Sequence, residues 1–487
     1  MNLNLKTFSG IIWTFLDLLI NKSIFFISTL VLARLLSPYE FGLIGMIMLF
    51  FTIGKTFVDS GLNISLIRTL SPTNIEYSTI FYMNLILSII AYLFMYIISP
   101  YVALFYHQPI LSSLIKIYCL GFIITAVRII PSTKLTKEMN FKAITFLSFP
   151  GNLIGLFVGI WMALNGFKVW SIVGLYLSTQ IVTTVCFWIY SDWKPNFLFS
   201  TKIMIYHWNF SYKLMFSAQL NTFFDNIYNI LIGKYFNINT LGYYERAYTY
   251  NNYPTSIFSG LISKLTLPLF SLLLNENNGN NKMRNVYRKV HMLSFYIMAP
   301  LMVGSIILAD PIFTLLLGIK WKPVIPLFQI ICLSNILYPI HSLNINLLSI
   351  YGKSNLFLKL EFFKKILILI LIFISIRFGV YGLVWSSVVA SILALFINSY
   401  YTGGLISYYL KEQIFDILPS FLTSIIMAIF MYFVYINLDQ YNLYIQILIP
   451  LFFGFIFYVT FSYFLQLEAL KFTFNFIKSN LKNNDFS

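Results

Sequence analysis

The sequence predicts an all-α protein that crosses a membrane many times, and three observations predict it. First, 59% of the 487 residues are hydrophobic and only 10% are charged, with mean hydropathy +0.80, a balance foreign to water-soluble domains of this size. Second, the apolar residues fall into runs of about 20, the length that crosses a bilayer core as a helix. Third, basic residues are crowded into alternate connections, the pattern that orients membrane helices. The 19% aromatic content fits lipid-facing Phe with interfacial Tyr and Trp.

Taken in order, the apolar runs lie at roughly 8–35, 41–61, 78–99, 111–130, 144–164, 170–190 and 213–233. A second group follows at roughly 248–273, 291–317, 324–350, 356–377, 381–402, 414–437 and 443–465. This makes about 14 transmembrane helices. With the N-terminus inside, the inner connections hold Arg128, Lys134, Lys137 and Lys142, then Lys194, Lys202 and Lys213. They continue with Lys282, Arg284, Arg288 and Lys289, then Lys353, Lys359, Lys364 and Lys365. Lys6, Arg68, Lys411, Lys471, Lys478 and Lys482 fall on the same side. The outer side receives Arg34, Lys168, Lys234, Arg246, Lys320, Lys322 and Arg377, a bias of about threefold toward the inside. Both termini are therefore expected to be cytoplasmic.

The connections are short, so no soluble domain is inserted. The longest polar stretch runs from Asn275 to Arg288, and a basic segment follows Leu470. The first apolar run is too long and too polar inside to read as a cleavable signal. Cys119, Cys186 and Cys332 lie within apolar runs and are odd in number, which argues for packing rather than disulfides. The net charge of +16 is scattered over short loops, which gives nucleic acid no basic domain to bind.

An ungapped shift of 200 residues lays the first span on the seventh: Asn21 meets Asn221, Arg34 meets Lys234, Ser37 meets Asn237, Phe41 meets Leu241 and Gly42 meets Gly242. A Ser-Gly-Leu follows in both copies, at Ser60 to Leu62 and Ser259 to Leu261. Six spans separate the copies, the parity of two parallel, pseudo-symmetric six-helix halves. The expected domains are 1–195, 196–410, and a 411–487 segment of two additional helices with a short basic cytoplasmic tail.

A polar seam runs through these apolar helices. The first span carries Asp17, Asn21 and Lys22, the second Lys55 and Asp59, the seventh Asn221 and Asp225, and the eighth Lys264. A charge at mid-bilayer costs about 2.5–3.5 kcal/mol on insertion scales, so such groups face a protein interior or a wet cavity. Bland readings stand beside this one. Lys55 and Asp59, four apart on one helix face, can neutralise each other. Lys22 and Lys264 can snorkel toward the surface, more easily for Lys264. Asp17, Asp59 and Asp225 can pair with the lysines, or can titrate or bind a cation and so couple transport to a gradient. Pro254, Pro268, Pro300, Pro326 and Pro339 can kink spans 8 to 10 or merely mark helix ends, the second reading being favoured for Pro254 and Pro268.

Other chemistry finds no foothold. Gly54-Lys55-Thr56 and Gly233-Lys234 lack the first Gly of a P-loop, since Leu49 and Tyr228 stand there. His107, His207, His291 and His341 are isolated and lack metal-ligand spacing, so no metal or cofactor is expected.

Several short motifs carry a resemblance that extends over spans 1 to 12. They include Ala33-Arg34-Leu35-Leu36-Ser37-Pro38 with Phe41-Gly42, and Asp59-Ser60-Gly61-Leu62 leading to Arg68. Pro131 with the Lys134–Lys142 stretch, Gly166 to Trp170-Ser171, and Trp193-Lys194-Pro195 follow. Then come Ile232-Gly233-Lys234 with Leu241-Gly242-Tyr243, Pro268-Leu269-Phe270-Ser271, Ala309-Asp310-Pro311, Gly318 to Trp321, and Gly352-Lys353. In this order the set resembles bacterial polysaccharide exporters of the Wzx type, in the multidrug/oligosaccharidyl-lipid/polysaccharide flippase superfamily. The resemblance implies a non-enzymatic flippase of the bacterial cytoplasmic membrane. Its cargo would be an oligosaccharide repeat unit on a polyprenyl diphosphate, for O-antigen, capsule or exopolysaccharide, turned from the inner to the outer leaflet by alternating access.

It further implies a central cationic cavity with Lys22, Lys55 and Lys264 as bases beside Asn21 and Asn221, because related lipid II flippases line a cavity from these three helices. Asp17, Asp59 and Asp225 are left for ion coupling or charge pairing, with H+, Na+ or the membrane potential as the drive. Partners would be the lipid-linked oligosaccharide, membrane lipids, and a polysaccharide polymerase with other assembly proteins; nucleic acid is not among them. One position departs from the family, whose span 7 often carries an Asp where Tyr228 stands here. Rival functions are a membrane enzyme of the same assembly, a polymerase or ligase, and a multidrug efflux transporter. The first needs catalytic residues on a sizeable outer loop, and the second a cavity with excess acid.

Overall fold

A computed structural model describes residues 20–59, 61–274 and 279–472, and among these the regular structure is helical throughout, with no strand. The chain divides into two compact units, Met1–Glu245 and Arg246–Ser487. Eleven helical runs among the described residues are long and apolar enough to cross a membrane.

The first unit begins with α1, which ends at residue 35, and α2, Pro38–Asp59. The turn between them is set by Ser37-Pro38-Tyr39-Glu40. The Glu40 carboxylate accepts the Ser37 backbone N–H at 2.8 Å and the Ser37 hydroxyl as well, while Pro38 occupies the first helical position, where its missing N–H costs nothing. Gly61, at φ 76°, then breaks the second span, and the short α3, Leu62–Arg68, continues beyond it. A reciprocal Thr73–Glu76 capping box starts α4, Asn74–Phe105. The fourth span is made of α5, Ile110–Tyr118, and α6, Leu120–Lys137.

α7, Phe141–Leu164, lies closely on α8, Trp170–Tyr190, because Gly151, Gly155 and Gly159 place no side chain between them. A Cβ at Gly155 would stand 2.9 Å from the Leu175 carbonyl oxygen, and one at Gly159 2.9 Å from the Leu175 Cβ. Small residues four apart are the usual means of close helix approach in a bilayer. The unit closes with α9, Thr201–Asp225, α10, Ile227–Tyr235, and the start of α11, Ile238–Leu274. Leu62, Leu66, Tyr77, Phe81, Ile130 and Trp193 form its core.

The second unit takes the rest of α11, then α12, Gly279–Ile307, and α13, Ala309–Leu317. α14, Val324–Asn335, and α15, Tyr338–Ile350, follow. Then come α16, Ser354–Ser375, α17, Gly379–Ile406, α18, Leu410–Ile436, and α19, Leu443–Phe464. Met283, Tyr287, Leu343, Leu347 and Tyr408 pack one core cluster, and Met292, Tyr296, Met427, Met431 and Tyr458 a second. The second cluster places α18 and α19 against α12.

Eleven runs and about fourteen predicted spans differ at three places. The first span is described only from residue 20. The seventh, α9 with α10, is not among the eleven. The eleventh and twelfth fall in one run, Asn355–Ile406, of 52 residues. That run turns at Gly379, φ 74°, between helices of 22 and 28 residues. Each of these is over the roughly 30 Å of a bilayer core at 1.5 Å per residue.

The proline expectations need correction. Pro254 and Pro268 lie inside α11, which runs unbroken through both. Neighbouring threonines turn their hydroxyls onto the backbone there, Thr255 to the Asn251 carbonyl at 2.6 Å and Thr266 to the Ile262 carbonyl at 2.8 Å. The carbonyls that the two prolines free are those of Tyr250 and Lys264, so helix-on-helix packing rather than these hydroxyls makes the prolines tolerable within the helix. Pro339 instead starts α15 and Pro326 lies in the first turn of α14, where proline fits without a kink. Pro300 is inside α12, as expected.

An ionic cluster ties α12 to α18. Arg288 donates to both Asp416 oxygens, at 2.6 and 2.7 Å, and reaches Glu468 at 3.3 Å; Arg284 pairs with Glu412 at 2.7 Å, and the Tyr408 hydroxyl donates to Asp416 at 2.6 Å. The Asp416 side chain is 14% exposed and that of Arg288 40% exposed, so removing one partner costs less than for a fully buried pair, about 1–2 kcal/mol. Asp416→Ala should therefore lower the detergent-solubilised protein's melting temperature by a few degrees and leave it foldable. An unchanged melting temperature would show that the cluster contributes nothing.

Candidate functional site

The α2–α9 contact is polar and antiparallel. The Thr56 and Thr222 hydroxyls meet at 3.1 Å, and Asn226 Nδ2 donates to Thr52 Oγ1 at 3.2 Å. Gln219 Nε2 donates to the Ile53 carbonyl at 2.9 Å. Residues 219 and 222 of α9, with Asn226 just past its end, make one stripe, and 52, 53 and 56 one stripe of α2. In two right-handed helices running in opposite directions, the next stripes round on one side of the seam are 55 and 59 on α2 and 221 and 225 on α9. Lys55, Asp59, Asn221 and Asp225 are all exposed. The structure thus brings four of the sequence-predicted residues onto one side of a single helix pair.

Both helices end where these residues stand. α2 stops at Asp59, and α3 continues the span after Gly61, which is in the left-handed conformation. α9 stops at Asp225, and α10 resumes after Asn226, whose φ of −103° and ψ of 4° are not helical. A broken membrane helix leaves backbone groups without helical partners at membrane depth, which is tolerable only within protein or beside water, and is how transporter folds build polar sites.

Asp59 has a second cationic neighbour that sequence reading assigned to an inner connection. Arg128 lies within α6, half-buried, and its field reaches Asp59 together with that of Lys55. Its Nη2 donates to Gln180 Oε1 of α8 at 3.2 Å, and its guanidinium stands 5.6 Å from the Phe187 ring. Among the described residues neither Lys55 nor Asp59 forms an ion pair within 4 Å. Asn152 of α7 was also not predicted. Its amide donates to Asn21 Oδ1 at 2.6 Å, which places Asn21 on the α1–α7 contact with half-buried Lys22 next to it. Arg128 and Asn152 each interrupt an apolar stretch, and that is the signal by which the sequence could have given them up.

Lys264 is exposed on α11 within the second unit, four residues before Pro268, where the Lys264 carbonyl has no helical N–H to accept. Asp17 lies outside the described residues. Cys119, Cys186 and Cys332 are free thiols. Among the described residues no group of three His, Cys, Asp or Glu side chains is placed to hold a metal ion.

Many apolar spans, broken helices and charge kept at the breaks define a multi-pass membrane protein. Residues 31–326, more than half of the chain, match the family described as "Polysaccharide biosynthesis protein", and the chain belongs to that family. It is similar to the teichuronic acid biosynthesis protein TuaB of Bacillus subtilis, with 22% identity over 393 residues, 79% of this chain and 80% of that one. It is also similar to the lipopolysaccharide biosynthesis protein WzxC of Escherichia coli, with 22% identity over 370 residues, 75% and 74% of the two chains. Its fold is similar to that of a solved structure described as the lipid II flippase MurJ in an inward closed conformation, with TM-score 0.71 and 18% identity, covering 94% of this chain and 99% of that one.

The two-stripe geometry is directly testable. Single cysteines at Asn221 and Asp225 should react with a water-soluble maleimide at least about tenfold faster than cysteines at Thr222 and Asn226 in the seam, since thiol reactivity follows access. Equal rates at the four positions would contradict the assigned faces.

Proposed function

We propose that the chain is a flippase for polyprenyl-diphosphate-linked oligosaccharide repeat units, which it moves from the inner to the outer leaflet by alternating access. The observation that carries this reading is the exposed Lys55–Asp59 and Asn221–Asp225 face at two helix breaks, in a member of a polysaccharide biosynthesis family. The cargo's diphosphate carries roughly two negative charges and its sugars are fully polar. Neither crosses hydrocarbon unaided, whereas the prenyl tail can remain in lipid throughout. A wet groove lined with cations meets that need. Lys22, Lys55 and Lys264 hold the diphosphate as point charges that tolerate a turning ligand, and Asn21 and Asn221 hydrogen-bond the sugar. Arg128 keeps Asp59 from neutralising Lys55 completely. Asp17, Asp59 and Asp225 remain the groups through which an H+ or Na+ gradient would couple.

The frame of this reading is fourteen spans with both termini cytoplasmic, in six-helix halves at 1–195 and 196–410 and two further helices in 411–487. Support comes from the threefold charge bias and from the three places where the eleven apolar runs fall short of fourteen. A polymerase acting on the exported repeat unit is the natural partner.

Lys22→Ala and Lys55→Ala should abolish surface polysaccharide while protein abundance stays normal. Full polysaccharide in both would end the cationic-groove proposal. Deletion of the gene should leave lipid-linked oligosaccharide accumulated in the inner leaflet. Accumulation facing outward would assign the chain to polymerisation or ligation instead.

A further inference from the structure

The second unit carries a groove of 630 Å³ between α16, α17 and the start of α18. Its α16 wall comes from the first half of that helix, with Lys359, Leu360 and Phe363. Its α17 wall comes from the last half of that helix, with Phe396, Tyr400 and Tyr401, and Leu410 closes it at the start of α18. α16 and α17 pack on each other as a hairpin about the Gly379 turn, so the groove lies at the end of the pair away from that turn. Lys353 and Lys411 stand at the same end, which the charge bias makes the cytoplasmic one.

The walls and the rim of the groove differ in chemistry. Leu360 is 5% exposed, while Phe363 and Phe396, 56% and 44% exposed, stand open on the two helices. Lys359 lies about 8 Å from the start of α16 at 1.5 Å per residue, and Phe363 about 6 Å further along. Cationic rim and apolar interior thus follow each other inward from the membrane surface. Charge at this rim is not balanced within the chain. Lys353, Lys359 and Lys411 form no ion pair among the described residues, whereas the acids of α16 and of the first turns of α18 are taken. Glu361 pairs with Lys364, Glu412 with Arg284 and Asp416 with Arg288. The Tyr400 and Tyr401 rings stand at 88° with centroids 5.2 Å apart, and neither hydroxyl has a hydrogen-bond partner among the described residues.

We propose that this groove holds one anionic phospholipid of the inner leaflet, with its phosphate on Lys359 and an acyl chain along Leu360, Phe363 and Phe396. Basic pockets between membrane helices on the cytoplasmic side select anionic headgroups, and each well-placed lysine favours them by about fivefold. The tyrosine hydroxyls are donors for the remaining phosphate oxygens. A free phosphate would leave the apolar walls unused, and a soluble peptide has no approach to a groove that opens toward lipid. The bound lipid touches three successive helices and so ties the α16–α17 hairpin to α18. The proposal does not depend on which cargo the chain moves.

The experiment presents the purified full chain in detergent with equal amounts of phosphatidylglycerol and phosphatidylcholine of matched acyl chains. Native mass spectrometry then counts the first lipid retained. Phosphatidylglycerol should be retained over phosphatidylcholine by about fivefold or more, and should raise the melting temperature. Lys359→Gln should remove most of that preference and Lys359→Arg should keep it. Lys202→Gln, at an exposed lysine in the first turn of α9, should leave it unchanged. An unchanged preference in both Lys359→Gln and the Lys359→Gln/Lys411→Gln double variant would overturn the site. An equal loss in Lys202→Gln would overturn it too, since it would show a diffuse charge effect. Displacement of the retained phosphatidylglycerol by equimolar polyprenyl diphosphate would give the groove to that lipid and overturn the phospholipid assignment.

Discussion

Charge inside hydrocarbon is the constraint on which the rest of this structure depends. A single ionised side chain at mid-bilayer opposes insertion by a few kcal/mol, comparable with a large share of a domain's net stability. The chain nevertheless places Lys55, Asp59, Asp225 and Arg128 within or at the ends of membrane helices. Asp59 and Asp225 stand where their helices end, with Lys55 one turn before the end of α2 and Arg128 within α6. Hydrogen bonds along the α2–α9 seam hold those two helices in register.

The remainder of the first unit is built to keep this pair of helices in place. α7 and α8 are drawn together by three glycines, and α8 in turn presents Gln180 to Arg128. In the second unit the Arg288–Asp416 cluster and the Met- and Tyr-rich core between α12, α18 and α19 give the last two helices a structural attachment. Methionine suits such a contact because its flexible chain fills gaps between neighbouring helices.

The sequence revealed the frame more readily than the site. Hydrophobic length and charge bias act over the whole chain, and they exposed the helical membrane fold without help from any single residue. The ends of the first two spans, near residues 35–41 and 61, were likewise legible, whereas the Ser37–Glu40 cap and the left-handed Gly61 came from the structure. Pro254 and Pro268 misled: a proline tends to end a helix in water, whereas α11 runs through both. Arg128 was passed over as a loop charge because its position near the end of a span hid the carboxylate that faces it across helices. That Lys55 and Asn221 share one side of the helix pair depends on which helix packs on which, and no local pattern encodes that.

The central claim is that a polar face at two helix breaks moves a lipid-linked glycan across the bilayer. Its most direct test is transbilayer movement in vesicles holding the purified full-length protein and a labelled polyprenyl-diphosphate oligosaccharide, under an imposed proton or sodium gradient. Oligosaccharide first protected in the inner leaflet should become accessible to an external glycosidase far faster than in protein-free vesicles, and Lys55→Ala should abolish the difference. Movement at the protein-free rate, with the protein folded and inserted, would contradict the account.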